Sequence, residues 1–217
     1  MNAQEKEKRH KAIADAAYEL LTRYGYAATS MLRIAKQARA SNETLYRWYG
    51  NKDGLIQAMV EDNALAARKM LTAALDTDDD PRAALEQIAP VFLGMVLGDR
   101  AVLLNQAAAA DPTGRLGAAV SAGGRAQVMP LMEQLMARIL ASADHPADHT
   151  PPSPGDCAAW FVSLLVGDLQ VRRIIHDAPC PDPATIDRHC TATLHLFYRL
   201  IDTPRDQQSG RPPQPGR

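Results

Sequence analysis

An all-α fold is what this sequence predicts, and three observations carry that expectation. Apolar residues recur at intervals of three and four through nearly every segment. Ala, Leu and Met are plentiful while aromatics make up only 5% of the 217 residues, a bias that favours helices over packed sheets. No segment alternates apolar and polar residues as a half-buried strand does. Hydrophobic residues at 46% and charged residues at 23% exclude wholesale disorder. The net charge of −1 conceals an asymmetry: residues 1–52 sum to +5 and residues 53–217 to −6. A basic head on an acidic body suits a chain in which only the head meets a polyanion.

The elements follow in order. Ile13, Ala16, Ala17, Leu20, Leu21 and Tyr24 form one apolar stripe of a first helix, closed by Gly25. Thr29 and Ser30 offer an N-cap for a short second helix with Met31, Ile34, Ala35 and Ala38 inward. After a break at Arg39 and Ala40, Ser41 caps a third short helix that ends at Gly50, and Asn51 caps a fourth over residues 52–75. Helices over 81–98 and 99–110 come next. One long helix runs from beyond Gly114 to about Ser142, one spans 156–177, and one spans 184–202. The four prolines within 145–155 mark a loop, and the Pro/Gln/Arg-rich residues 203–217 read as a disordered tail.

Two short helices joined by a tight turn behind a longer supporting helix make a helix-turn-helix, whose second short helix enters the major groove of DNA. On that helix Leu45, Trp48 and Tyr49 can face inward, leaving Asn42, Glu43, Thr44, Tyr46 and Arg47 outward. Asn suits adenine edges, Arg guanine or phosphate, and Thr a methyl group or phosphate. Lys52 adds a positive charge beside the N-terminus of the next helix, where backbone amides already attract phosphate.

The segments AIADAAYELLTRYGYAATS (12–30) and TSMLRIAKQARASNETLYRWYGNKDGLI (29–56) resemble the DNA-binding domain of TetR-family transcriptional regulators. The resemblance implies that Ser30 is a phosphate-binding N-cap, that Asn42, Glu43 and Thr44 read bases, and that Tyr46 and Lys52 clamp phosphates. Ile34, Ala35, Leu45 and Tyr49 match core positions. LLNQAAAADPTGRLGAAV and LLVGDLQVRRIIHD are similar, more distantly, to the C-terminal domains of AefR-like members. There are two departures: Arg39 stands where a turn glycine is usual, and Leu32 where a polar or basic residue is frequent. The implied architecture is a three-helix head over 1–52 and a larger helical effector-binding and dimerisation domain over 53–202, with the tail 203–217 beyond.

The residues of the body, taken alone, fit a plain bundle core as well as a pocket. The resemblance favours a pocket, with Phe92, Met95, Met129, Met132, Met136, Leu165 and Leu169 as lining candidates. It also implies a homodimer joined through the last two helices, for which Val162, Ile186, Cys190, Leu194, Phe197 and Ile201 are the candidates. The expected protein is a DNA-binding regulator, a repressor released by a small lipophilic or aromatic effector, with double-stranded operator DNA as its partner. The alternative is a helical ligand-binding or interaction protein whose helix-turn-helix does not read DNA.

Other classes find little support. Met1 to Lys11 lacks an apolar signal core and no apolar run reaches the ~20 residues of a membrane span, so a cytoplasmic protein with no membrane partner is expected. Cys157, Cys180 and Cys190 have no CxxC spacing. His145 and His149, the cluster His176, Asp177, Cys180 and Asp182, and the group His189, Cys190 and His195 lack the spacing of a zinc site or an orienting third group. No metal, cofactor or enzymatic activity is expected.

Overall fold

A computed structural model describes residues 2–142 and 152–202; the 145–155 loop therefore lies partly, with His145 and His149, and the 203–217 tail wholly, outside the described residues. Every regular element among them is a helix: α1 (Ala3–Ala28), α2 (Met31–Gln37), α3 (Asn42–Tyr49), α4 (Lys52–Leu75), α5 (Pro81–Leu97), α6 (Asp99–Ala109), α7 (Arg115–Gly123), α8 (Arg125–Ala141), α9 (Pro154–Val166), α10 (Leu169–His176) and α11 (Pro183–Asp202). The caps are those the sequence offers. Ser30, Ser41 and Asn51 accept from the amides of Arg33, Thr44 and Gly54, and Pro81 opens α5 behind an Asp80 cap.

Two expected long helices are broken, each at a glycine. The segment after Gly114 divides into α7 and α8 at Gly123 and Gly124. A Cβ on Gly123 would lie 2.5 Å from the Gln57 carbonyl oxygen, so α7 can approach α4 only without a side chain there. The 156–177 segment divides into α9 and α10 at Gly167, whose φ of 47° is left-handed. Periodicity continues across both breaks, and so conceals them. Gly25, with φ 73°, interrupts α1 as a closing glycine should, although a further helical stretch to Ala28 follows it. Tyr24, assigned to the buried stripe, is exposed and lies against the guanidinium groups of Arg23 and Arg33.

The apolar side chains form two cores, and α4 belongs to both. Its first half gives Leu55, Ile56, Met59 and Val60 to a head core built on Ile13, Ala17, Leu21, Ile34 and Leu45, joined by Leu104, Leu116 and Ala119 of α6 and α7. Its second half gives Ala64, Ala67 and Leu71 to a body core with Leu85, Leu93, Met132, Leu135, Phe161 and Phe197. Movement of α6 or α7 in the body therefore bears directly on the packing of the head.

The C-terminal end of α5 is held from three sides. The carbonyls of Met95, Val96 and Leu97 lose helical partners at the bend into α6. They accept instead from Asn63 of α4 (3.5 Å), Gln170 of α10 (3.1 Å) and the Cys180 thiol (3.6 Å). No single helix among the described residues is long and apolar enough to cross a membrane.

Candidate functional site

The head presents a helix-turn-helix whose turn is made by Arg39 at φ 51°. A side chain at this angle costs about 1–2 kcal/mol, and the turn is held by the Ala40 amide donating to the Ala35 carbonyl at 2.9 Å. The departure from glycine thus leaves the turn intact. Behind it Leu45 is fully buried, Trp48 and Tyr49 are half-buried, and α3 is fixed by its inner face. His10 of α1 bridges the Tyr49 hydroxyl (2.5 Å) and the Asp62 carboxylate, joining α1, α3 and α4.

Asn42, Glu43, Tyr46 and Arg47 are exposed on the opposite face of α3, and among the described residues no hydrogen bond engages their side chains. Ser30 is exposed beside them, its Oγ accepting from the Arg33 amide. Leu32, at the departing position of α2, is 66% exposed.

Two candidate DNA-contact side chains do not face outward as the sequence led one to expect. Thr44 is buried, and its hydroxyl lies 2.7 Å from the Ser41 hydroxyl, so it supports the N-terminus of α3 rather than facing outward. Helical period alone puts Thr44 on the outer face, but the Ser41 cap draws it in. Lys52 does not extend toward solvent. Its Nζ donates to the carbonyls of Tyr26 (2.9 Å) and Thr29 (3.0 Å) and lies 3.6 Å from the centre of the Tyr26 ring. Gly25 turns the chain here; the Tyr26 carbonyl also accepts from the Thr29 amide at 3.2 Å, and the lysine adds a second donor to it and supplies the Thr29 carbonyl. Burial lowers the Lys52 pKa from its ordinary value. Asp53, which sequence reasoning passed over, accepts from the Tyr26 hydroxyl at 2.6 Å and from Arg115 of α7 at 2.5 Å. The Tyr26 phenol is pushed up, first by burial and then by this hydrogen bond to Asp53.

A cavity of about 600 Å³ lies in the body between α4, α5, α6, α7, α8, α9 and the start of α10. Of the lining candidates, Phe92, Met95 and Met129 border this cavity. Met132, Met136 and Leu165 do not: all three are fully buried in solid core, and Leu169 packs against that core outside the lining. Val162, expected at a dimer seam, lines the cavity instead. Polar lining comes from Asn63, Asn105, Ser121, Ser163 and Gln170, and charge from Arg125.

The other seam candidates are also relocated. Cys190, Leu194, Phe197 and Ile201 are buried within the chain's own core, where the Phe197 ring meets Phe161 edge-on at 5.2 Å, and Ile186 packs at its margin. Helix α11 carries two apolar stripes, and the sequence alone does not say which faces outward. The exposed one is Leu196 and Leu200, accompanied by Trp160 and Leu164 of α9. Burial raises the Cys157 and Cys190 thiols to about 11, and His189 bonds the Leu165 carbonyl at 2.8 Å. Among the described residues no group of three or more His, Cys, Asp or Glu could hold a metal.

The family model for bacterial regulatory proteins of the tetR family matches residues 13–59. The uncharacterized HTH-type transcriptional regulator YdeS of Bacillus subtilis (strain 168) is 45% identical over 47 residues, covering 22% of this chain and 24% of that protein. The HTH-type nicotine-responsive transcriptional repressor HdnoR of Paenarthrobacter nicotinovorans is 26% identical over 98 residues, covering 45% and 50%. The matches thus span a quarter to a half of these curated relatives. Over nearly the whole chain, the fold is that of a TetR-family regulator from Mesorhizobium loti MAFF303099, with a TM-score of 0.68 at 20% identity over 89% of this chain and 96% of that one. The head, residues 13–59, thus matches the DNA-binding region of tetR-family bacterial regulatory proteins, and the fold of the whole chain is similar to that of solved members of the family.

Proposed function

We propose that the protein is a transcriptional regulator that binds double-stranded operator DNA as a homodimer and is a repressor released by a small effector with a substantial apolar part. The observation that carries the reading is the outer face of α3. Asn42, Glu43, Tyr46 and Arg47 are exposed and unengaged, while the inner face of the same helix is locked into the head core. A rigid helix with free polar side chains is what base-edge readout requires. Ser30 adds a phosphate contact at the start of α2.

The body supports the remaining parts. The exposed stripe of Trp160, Leu164, Leu196 and Leu200 suits a second copy, and a C2 dimer presents two reading heads to two half-sites one helical turn apart. The cavity suits an effector because its walls include α4, α6 and α7, the helices that also enter the head core. An occupant that shifts them changes the spacing of the heads. The nicotine-responsive relative is a precedent for small-molecule release.

The test is selection of genomic fragments with the purified chain, followed by titration of the selected site at several salt concentrations. Log affinity should fall steeply and linearly with log salt. A flat dependence, or no enrichment of any site, would favour a helical ligand-binding protein whose helix-turn-helix does not read DNA.

A further inference from the structure

We propose that the body cavity selects a singly charged organic anion with an apolar body, its anionic group held at the mouth by Arg125. This rests on the effector-cavity reading above and names the chemistry that reading leaves open.

The electrostatics of the lining carry the proposal. Among the described residues Arg125 is its one charged side chain and no carboxylate lines the space. Arg125 is exposed, and among the described residues it has neither an ion pair nor a hydrogen bond. The other nitrogen donors are neutral and partly committed: Asn63, Asn105 and Gln170 each give one of two amide hydrogens to a backbone carbonyl, of Met95, Ala101 and Val96. An incoming polar group therefore finds one unoccupied strong donor, a planar guanidinium whose geometry matches a carboxylate in two parallel bonds. Most of the remaining lining, Phe92, Met95 and Met129 included, is apolar and takes the rest of the molecule. The volume of about 600 Å³ lies within the range of small-molecule sites. A cation of the same shape meets repulsion with no compensating acid, and a neutral alcohol leaves the guanidinium solvated.

Three probes with one tail and different heads test this: decanoate, decan-1-ol and decyltrimethylammonium, titrated calorimetrically into the full chain below their micelle concentrations. Decanoate should bind at least about tenfold more tightly than either of the others. Arg125→Gln should remove about tenfold of decanoate affinity and leave decan-1-ol binding unchanged, which also reports an intact cavity; Arg125→Lys should fall between. Met129→Trp, which fills the space, should weaken all three. If decan-1-ol or the ammonium binds as well as decanoate, or if Arg125→Gln leaves decanoate affinity unchanged, the anion assignment falls while the cavity reading stands. If none of the three binds, both fall.

Discussion

Arg115, the first residue of α7, donates to the Asp53 carboxylate at 2.5 Å, and Asp53 accepts from the Tyr26 hydroxyl at 2.6 Å. One carboxylate thus ties the end of α1, the start of α4 and a cavity-lining helix. The two bonds differ in value. Arg115 is 69% exposed while Asp53 is 22% exposed, so the ion pair contributes at most about 1 kcal/mol. The Tyr26 hydroxyl, half-buried, loses its partner when Asp53 is truncated. Asp53→Ala should cost about 1–2 kcal/mol in urea denaturation and Arg115→Ala less than about 1 kcal/mol; the reverse order would place the strength of the junction in the ion pair.

Lys52 and Thr44 should behave as structural residues. Lys52→Met should lower stability by about 1–3 kcal/mol, since the Thr29 carbonyl loses its lysine donor while the Tyr26 carbonyl keeps only the Thr29 amide, and should leave the salt slope of operator binding unchanged. A slope reduced by about one would return Lys52 to phosphate contact. Asn42→Ala, by contrast, should cost about 1–3 kcal/mol on the selected site and little on random DNA.

The dimer seam can be located by pairs of substitutions on the same helix. Leu196→Glu or Leu200→Glu should give folded monomers with weakened operator binding, read by sedimentation and circular dichroism. Leu194→Glu or Phe197→Glu should unfold the body, because each places an unpaired carboxylate in its core. Folded monomers from the second pair would restore the buried stripe as the seam.

Asp111 supplies an acid-sensitive cap. Its carboxylate accepts from the Leu116 and Thr113 amides and from the Thr113 hydroxyl, and these bonds hold its pKa below the ordinary value of 3.8. The folded pKa is lowered, so its contribution is complete above the ordinary value and is lost as pH falls through the lowered one. The stability difference between the native chain and Asp111→Asn should therefore be constant near neutrality and shrink in acid. A difference independent of pH would show that the bonds do not depend on the charge.

Arg39→Gly should raise stability by about 1 kcal/mol, because glycine adopts the φ of 51° without the side-chain penalty. Thermal denaturation at one pH checks it, and a loss would mean that the arginine side chain makes up for the strain of its backbone.

Helix caps and the head were legible because their signals are local. Ser30, Ser41, Asn51 and Pro81 each act within four residues of where they stand. What the sequence did not reveal depends on which surfaces meet. Gly123 reads as an ordinary helix residue until α4 lies against it. Leu194 and Leu196 are equally apolar, and only the packing of α9 and α5 decides that the first is inside. Lys52 has the chemistry of a phosphate ligand, yet carbonyls 23 and 26 positions earlier claim it. Met132 and Met129 lie on one helix one turn apart, and one fills core while the other faces the cavity.

The grip of Asn63 on the Met95 carbonyl gives α4 a fulcrum. Asn63 stands near the middle of this 24-residue helix, so that at about 1.5 Å per residue some 17 Å of rod extends toward Lys52 and about the same toward Leu75. A tilt of about 6° at the pivot moves the Lys52 end by about 1.7 Å, several times the ~0.5 Å window within which a hydrogen bond keeps its length. A cavity occupant that shifts Met95 acts beside the pivot, where a small displacement is magnified most at the far end of the rod. That displacement reaches the carbonyls of Tyr26 and Thr29, which Lys52 holds at the end of α1.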